Sequence, residues 1–269
     1  MADQELASLD GRIAPAEETA IPVTDEGFLR GDGVFEVARV YLGAPYALRE
    51  HFDRMERSAA NLRLGERVPR EELERETREL LAARGDAFDG CLRYVLTRSG
   101  RRLIITEPLK DPPHDLAVCF VTYAPTRILD GVKSLSYASN MLATRIACER
   151  GFDEAVLVTP HGRVLEAPTS SIFWVGDDGR LCTTPLADHI LASITRHRLM
   201  GLVEVEERPV TADELLGANE AFLASTTREV HPIARIEDSR LESPGPRTRE
   251  AVDAFAAHLA EVLGRPVAS

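Results

Sequence analysis

The 269-residue sequence predicts an α+β fold in two halves. Three observations point there. Some segments repeat apolar residues at helical spacing, while others are short runs of β-branched and aromatic residues. The two kinds of segment do not alternate as regular strand–helix–strand units. Ala124-Pro125-Thr126 offers a hinge near the middle. Residues 1–122 therefore read as a small N-terminal domain, 123–126 as the connection and 127–269 as a larger C-terminal domain.

In chain order, Thr24 to Arg30 reads as a loop and Val34 to Tyr41 as a strand, followed by a turn at Leu42-Gly43-Ala44-Pro45. Phe52, Met55, Ala59 and Leu62 give Arg49 to Leu62 a helical stripe. Arg70 to Arg84 is a second helix with Gly85 just past its end. Cys91 to Thr97 and Leu116 to Tyr123 are strands, and Glu107 to Pro113 is a Pro-rich connector. After the hinge, Ser139 to Arg150 is a helix stopped by Gly151. Glu154 to Thr159 and Val164 to Glu166 read as strands, and Ser171 to Val175 with Arg180 to Thr183 as a hairpin. Ser193 N-caps a helix running to Leu199, and Thr211 to Glu214 is a capping-box pattern. Ala221 to Ala224 is a strand, and Glu250 to Leu263 a closing amphipathic helix.

The formal net charge of −12 argues against a general nucleic-acid binder, which needs basic surface to neutralise phosphates. No apolar run is long enough to suggest a membrane span. Met1 to Asp10 is polar and acidic, unlike a secretory signal. Cys91, Cys119, Cys148 and Cys182 show no CxxC pairing, so reduced thiols and a cytoplasmic location are expected. The seven histidines show no metal-ligand pairing, and no metal is expected.

All but two of the 32 basic residues are arginine, the exceptions being Lys110 and Lys133. Lys110 lies in the Pro-rich connector and reads as a solvated charge. Lys133 is followed by an uncharged stretch from Ser134 to Thr144. A desolvated lysine becomes a nucleophilic amine, whereas an arginine keeps its proton. Together with the residues that follow, each weak alone, such an amine fits one aldehyde-phosphate cofactor, of which pyridoxal 5′-phosphate (PLP) is an example. Glu166 ends an apolar run and would keep a pyridine nitrogen protonated; in isolation it reads as a solvated strand-end acid. Ser193-Ile194-Thr195 places backbone N–H groups and a hydroxyl at a helix N-terminus, an anion site or a plain cap. Ser225-Thr226-Thr227 clusters hydroxyls at a turn. Arg54 offers fixed charge for a phosphate, or is one of many surface arginines. Arg98, Arg101 and Arg102 form either a carboxylate-binding loop or a solvated turn. Tyr137 either donates to the cofactor's ring oxygen or packs.

In this order the pieces resemble the class IV aminotransferases, the fold-type IV PLP enzymes. Thr24-Asp-Glu-Gly-Phe-Leu-Arg-Gly-Asp-Gly-Val-Phe-Glu36 is similar to their N-terminal signature. Glu50-His-Phe-Asp-Arg-Met55 resembles the segment whose arginine binds phosphate, a role that falls to Arg54. Gly131-Val-Lys-Ser-Leu135 resembles the Schiff-base segment, which makes Lys133 the catalytic lysine of the C-terminal domain. Gly151-Phe-Asp-Glu-Ala155 and Glu166 to Phe173 resemble the stretch that carries the carboxylate for the ring nitrogen. Ile194-Thr195-Arg196 and Ser225-Thr226-Thr227 resemble the two phosphate cups. The likeness runs from about residue 24 to 235.

The resemblance implies two α/β domains with PLP in the cleft between them, and a homodimer. The substrates it implies are an amino donor and a 2-oxo acid. Glu166 to Phe173 and Ala224 to Val230 look closest to the D-amino-acid aminotransferases and the lyases. A D-amino acid or a related amine is therefore the expected donor. The alternatives are a 4-amino-4-deoxychorismate lyase forming 4-aminobenzoate and pyruvate, a branched-chain L-amino-acid aminotransferase, and a PLP-binding protein without catalysis. Phe35 stands where some D-amino-acid enzymes have a substrate-binding tyrosine, and the loop of Arg98, Arg101 and Arg102 is shorter than theirs.

Overall fold

The computed structural model describes residues 4–65, 69–109 and 114–264. The chain divides into two compact units. Met1–Lys110 with Gly131–Tyr137 form the first, and Asp111–Asp130 with Ala138–Ser269 the second. Helix and strand are mixed in both, as the α+β expectation required.

The first unit opens with strands β1 (Leu6–Leu9) and β2 (Arg12–Pro15), which turn at Asp10-Gly11, both at positive φ. Helix α1 (Glu26–Arg30) follows, capped by Asp25, whose carboxylate accepts the Gly27 N–H at 2.8 Å. Next come β3 (Gly33–Tyr41), β4 (Ala44–Pro45), α2 (Leu48–Asn61), α3 (Arg70–Arg84), β5 (Gly90–Thr97) and β6 (Arg102–Pro108). The antiparallel sheet has the order β2-β1-β6-β5-β3-β4. Residues of one parity in a strand share a face. Val34, Ala38 and Val40 of β3 meet Phe52, Met55 and Ala59 of α2 and Leu73 and Leu80 of α3. Each large side chain buried there contributes about 1.5–3 kcal/mol.

The second unit contains β7 (Leu116–Thr122), α4 (Ala138–Glu149), β8 (Glu154–Val158), β9 (Ser171–Val175), β10 (Leu181–Thr183) and α5 (Ile194–Leu202). It continues with β11 (Glu206–Glu207), α6 (Ala212–Leu216), β12 (Glu220–Ser225), β13 (Glu229–Ile236), β14 (Ser239–Arg240) and α7 (Pro246–Leu263). Its sheet has the order β11-β10-β9-β12-β13-β7-β8, with β14 beside β13. Trp174, Ala221, Leu223 and Val118 build the core on one face. On the other, Cys119, Val121 and Leu157 pack against Ala143 and Ala147 of α4. Among the described residues no helix is long and apolar enough to cross a membrane.

The division differs from a boundary at 123–126. β7 runs parallel to both β8 and β13 and so lies inside the second sheet. Residues 131–137 return to the first unit. The Phe35 N–H donates to the Lys133 carbonyl at 3.0 Å, and the Leu135 N–H to the Gly33 carbonyl at 2.9 Å. Lys133 therefore belongs to the first unit, not to the C-terminal domain expected for it. Remote backbone partners decide this, and local composition does not report them.

Two smaller differences are local. Thr24 to Arg30, expected as a loop, contains α1, because Asp25 supplies a cap and Gly31 a left-handed stop at φ 66°. Val164 makes an isolated bridge with Val158 instead of a strand through Glu166. Of the Pro-rich connector, residues 110–113 lie outside the described residues.

Candidate active site

In the first unit, the backbone of 133–135 extends the sheet beside the start of β3. Ser58 of α2 holds this segment from the helix side, its hydroxyl accepting the Lys133 N–H at 3.1 Å. Lys133 is half-buried, and its Nζ lies 4.3 Å from the Phe35 ring centroid and 5.7 Å from that of Tyr137. The two rings meet edge to face at 5.1 Å. Phe35, Lys133 and Tyr137 are thus brought together. An amine over an aromatic face is partly desolvated yet still attracted as a cation. Gly31 closes the neighbourhood: a Cβ there would lie 2.8 Å from Ser136 Oγ and 3.1 Å from its backbone.

Arg54 is not a surface arginine but a buried one. Its Nε and one terminal nitrogen donate to the two carboxylate oxygens of Glu36, each at 2.7 Å. His51 Nδ1 lies 2.8 Å from the same carboxylate. Burial pushes the Glu36 carboxyl up, but the charge and hydrogen bonds of Arg54 and the contact with His51 outweigh it and hold the group at about 2. Burial pushes His51 below its ordinary value against the pull of Glu36, and the charges of Arg54 and Lys133 push the same way. The cluster is therefore a carboxylate and a guanidinium with a neutral imidazole. Sequence reading missed Glu36, His51 and Ser58. The signal was present: an acid at an inward position of an apolar strand, and polar residues on the inward stripe of a helix.

The three loop arginines are each engaged within the first unit. Arg98 pairs with Asp32 and donates to the carbonyls of Arg63 and Leu62 at 3.0 and 3.1 Å. Arg101 pairs with Asp10 at 2.7 Å, and Arg102 with the buried Glu76 at 2.7 Å. Only Arg98 stands at the strand ends that border the Lys133 segment. Its N–H donates to the Asp32 carbonyl, and Gly33, the next residue, accepts from Leu135.

In the second unit, Glu166 is half-buried, and its Oε1 accepts the Leu191 N–H at 3.1 Å. Ser193 caps α5, its hydroxyl accepting the Arg196 N–H at 3.2 Å. A helix offers no acceptor to its own first N–H groups, so those of Ile194 and Thr195 point outward with the positive end of the dipole. Thr195 is buried. Ser225, Thr226 and Thr227 make the turn after β12, where the Ser225 and Thr227 hydroxyls lie 3.5 Å apart. Arg228 closes this turn by pairing with the buried Glu154 at 3.0 Å. The first unit offers an amine and a guanidinium, and the second a carboxylate with backbone N–H groups and hydroxyls; these are donor types that the aldehyde, ring nitrogen and phosphate of PLP can take.

Residues 33–236 match the family described as Amino-transferase class IV. This chain belongs to the class IV aminotransferases. It is 32% identical to a D-alanine aminotransferase of Bacillus licheniformis, over 91% of this chain and 94% of the relative. It is also 32% identical to a putative branched-chain-amino-acid aminotransferase of Methanocaldococcus jannaschii, over 85% of this chain and 87% of the relative. A fold IV transaminase of Curtobacterium pusillum superposes with a TM-score of 0.83 at 28% identity, covering 94% of this chain and 99% of that one. The branched-chain aminotransferase of Thermoproteus uzoniensis with norvaline gives 0.87 at 28% identity, covering 97% and 95%. The fold is fold-type IV, and the enzyme is a PLP-dependent aminotransferase.

Proposed function

We propose that this aminotransferase takes its amino group from a D-amino acid, or from an amine of the same facial geometry, and passes it to a 2-oxo acid. The observation that carries a carboxylate-bearing donor is the position of Arg98. It is a partly exposed guanidinium at the strand ends bordering the Lys133 segment, held by an exchangeable surface carboxylate, Asp32. A substrate carboxylate replaces Asp32 at little cost, because a surface ion pair is worth only about 0–1 kcal/mol. Arg101 and Arg102 then serve the sheet and not the substrate. The similarity to the Bacillus licheniformis D-alanine aminotransferase supports the D configuration.

Bound PLP supplies an electron-accepting ring that stabilises charge on the donor's α-carbon. Lys133 Nζ binds the cofactor and carries the α-proton as general acid and base. Glu166 keeps the ring nitrogen protonated. Arg54, the N–H groups of Ile194 and Thr195, and the hydroxyls of Thr195, Thr226 and Thr227 hold the phosphate. Phe35 and Tyr137 flank the amine; Phe35 lacks a hydroxyl for the substrate carboxylate, which favours broader donor use.

A second reading, a branched-chain L-amino-acid aminotransferase, is favoured by the Methanocaldococcus and Thermoproteus similarities. A donor screen separates them. D-Alanine should bleach the near-visible absorbance of the yellow enzyme, and a 2-oxo acid should restore it. Bleaching by L-leucine with no response to D-alanine would establish the second reading. We also propose a cytoplasmic homodimer. Four free cysteines support a reducing compartment. Val23, Phe28 and Leu29, exposed at 74%, 65% and 53%, are apolar side chains that a second copy would cover.

A further inference from the structure

The layer between the first sheet and its helices is mostly apolar, and on α3 its buried polar groups are Glu76, paired with Arg102, and Thr77, bonded to the Tyr94 hydroxyl. Val34, Ala38 and Val40 flank Glu36 on the inward face of β3, and Tyr94 pairs with it across the strand. Into this layer the chain inserts Glu36, His51 and Arg54, all at least nine-tenths buried. Two ions buried among hydrophobic residues gain little stability over apolar side chains of the same volume, because desolvation offsets their attraction. Fold stability is therefore a poor account of the cluster.

Its placement gives a better one. His51, Arg54 and Ser58 are spaced three and four residues apart and share one face of α2. At one end of that face Glu36 grips Arg54 through two hydrogen bonds of 2.7 Å. At the other, Ser58 holds the backbone of Lys133. One helix face thus holds both the Lys133 backbone and the Arg54 guanidinium.

We propose that Glu36 and His51 are positioning residues for Arg54. They fix the plane and direction of its guanidinium before the cofactor arrives, and so determine how strongly the site recognises the cofactor's phosphate. This rests on the reading of Arg54 as a phosphate ligand. A bidentate carboxylate leaves a guanidinium one orientation, and His51, against the same carboxylate, stops Glu36 from swinging away. A long side chain fixed in advance loses less entropy on binding.

The test compares PLP with pyridoxal, which carries the same aldehyde but no phosphate. Dissociation constants of both are measured by absorbance on the apo form of the full chain, and the ratio of pyridoxal to PLP isolates phosphate recognition. Glu36→Gln should lower this ratio about tenfold, the size of one misaimed charge-assisted contact, and leave pyridoxal binding nearly unchanged. His51→Asn should lower it in the same direction by less, and serves if Glu36→Gln does not fold. Equal loss for both ligands, or an unchanged ratio, overturns the proposal. The double variant Glu36→Gln/Arg54→Met, which leaves no unpaired buried charge, tests the underlying reading. If it too keeps the wild-type ratio, Arg54 does not hold phosphate. If it collapses the ratio while Glu36→Gln and His51→Asn do not, Arg54 binds phosphate without their help.

Discussion

At the scale of single residues, the buried cluster ties stability to pH. The Glu36 carboxyl sits at about 2, below its ordinary 4.5, so its contribution is complete above 4.5 and is lost as pH falls toward 2. His51 is depressed below its ordinary 6.5 by burial, opposed by Glu36 and reinforced by Arg54 and Lys133. Below 6.5 the unfolded chain binds the proton more readily, so this contribution also falls with pH. Denaturant titrations should therefore show stability declining below pH 6.5, with a second decline below about 4.5. His51→Asn should flatten the upper part and Glu36→Gln the lower. An unaltered profile in His51→Asn would remove the imidazole from the account. Glu166 makes a separate prediction. Glu166→Gln should retain PLP and lose about 10²-fold or more in turnover, because an amide does not keep the ring nitrogen protonated. Near-normal kcat would take Glu166 out of the site. Lys133 and Glu166, proposed for the amine and the ring nitrogen, stand out in the sequence because their types are unusual for their surroundings. Glu36 and His51 do not, because their meaning lies in a strand-to-helix contact that neither segment displays by itself.

At the scale of elements, local caps made the starts of α5 and α6 legible, whereas the Asp25 cap of the five-residue α1 was passed over. Ser193 before α5 and the Thr211–Glu214 box before α6 are formed as read. α3 keeps the bounds given by its charged face and Gly85. α7 was read four residues short because its N-terminus is capped from a distance. Gly245 supplies no side-chain cap, and the buried Glu220 carboxylate accepts the N–H groups of Arg247 at 3.2 Å and Thr248 at 2.8 Å. Glu220→Ala should cost about 1–3 kcal/mol and raise hydrogen exchange first in the opening turn of α7. Glu220→Gln, which keeps one acceptor, should cost less. Gly245→Ala should behave like the more severe variant, since its Cβ would lie 2.1 Å from the Glu220 carboxyl carbon. Equal exchange along α7 in all three would show that the helix is held by its packed face alone. β1, β2, β6 and β13 were missed for local reasons. The first two are only four residues each, β6 starts inside an arginine pair, and β13 contains Pro232 and opens on Glu229 at φ 54°.

At the scale of the whole molecule, the chain passes between its units three times, after Lys110, Asp130 and Tyr137. A single hinge at 123–126 would make two separable domains, and the strand pairings say otherwise. A fragment ending at 126 keeps β7 without its neighbours β8 and β13, and lacks the 131–137 segment that pairs with the start of β3. The complementary fragment from 127 carries β8 and β13 with a vacant strand position between them. Each then exposes unpaired backbone groups, and apolar side chains buried in the full chain lose their cover: Leu116 and Val118 in the first fragment, Val156 and Ile233 in the second. Neither fragment should fold alone: expressed separately, each should give a poorly dispersed NMR spectrum and no cooperative thermal transition. Mixing should restore PLP binding only if the two complement each other, because the amine sits on a seven-residue segment whose backbone pairs with Gly33 and Phe35 of the other fragment. A well-dispersed, cooperatively melting 127–269 fragment would mean that β7 contributes little to the second sheet. The parallel pairs it makes with β8 and β13 would then be the part of this fold to discard.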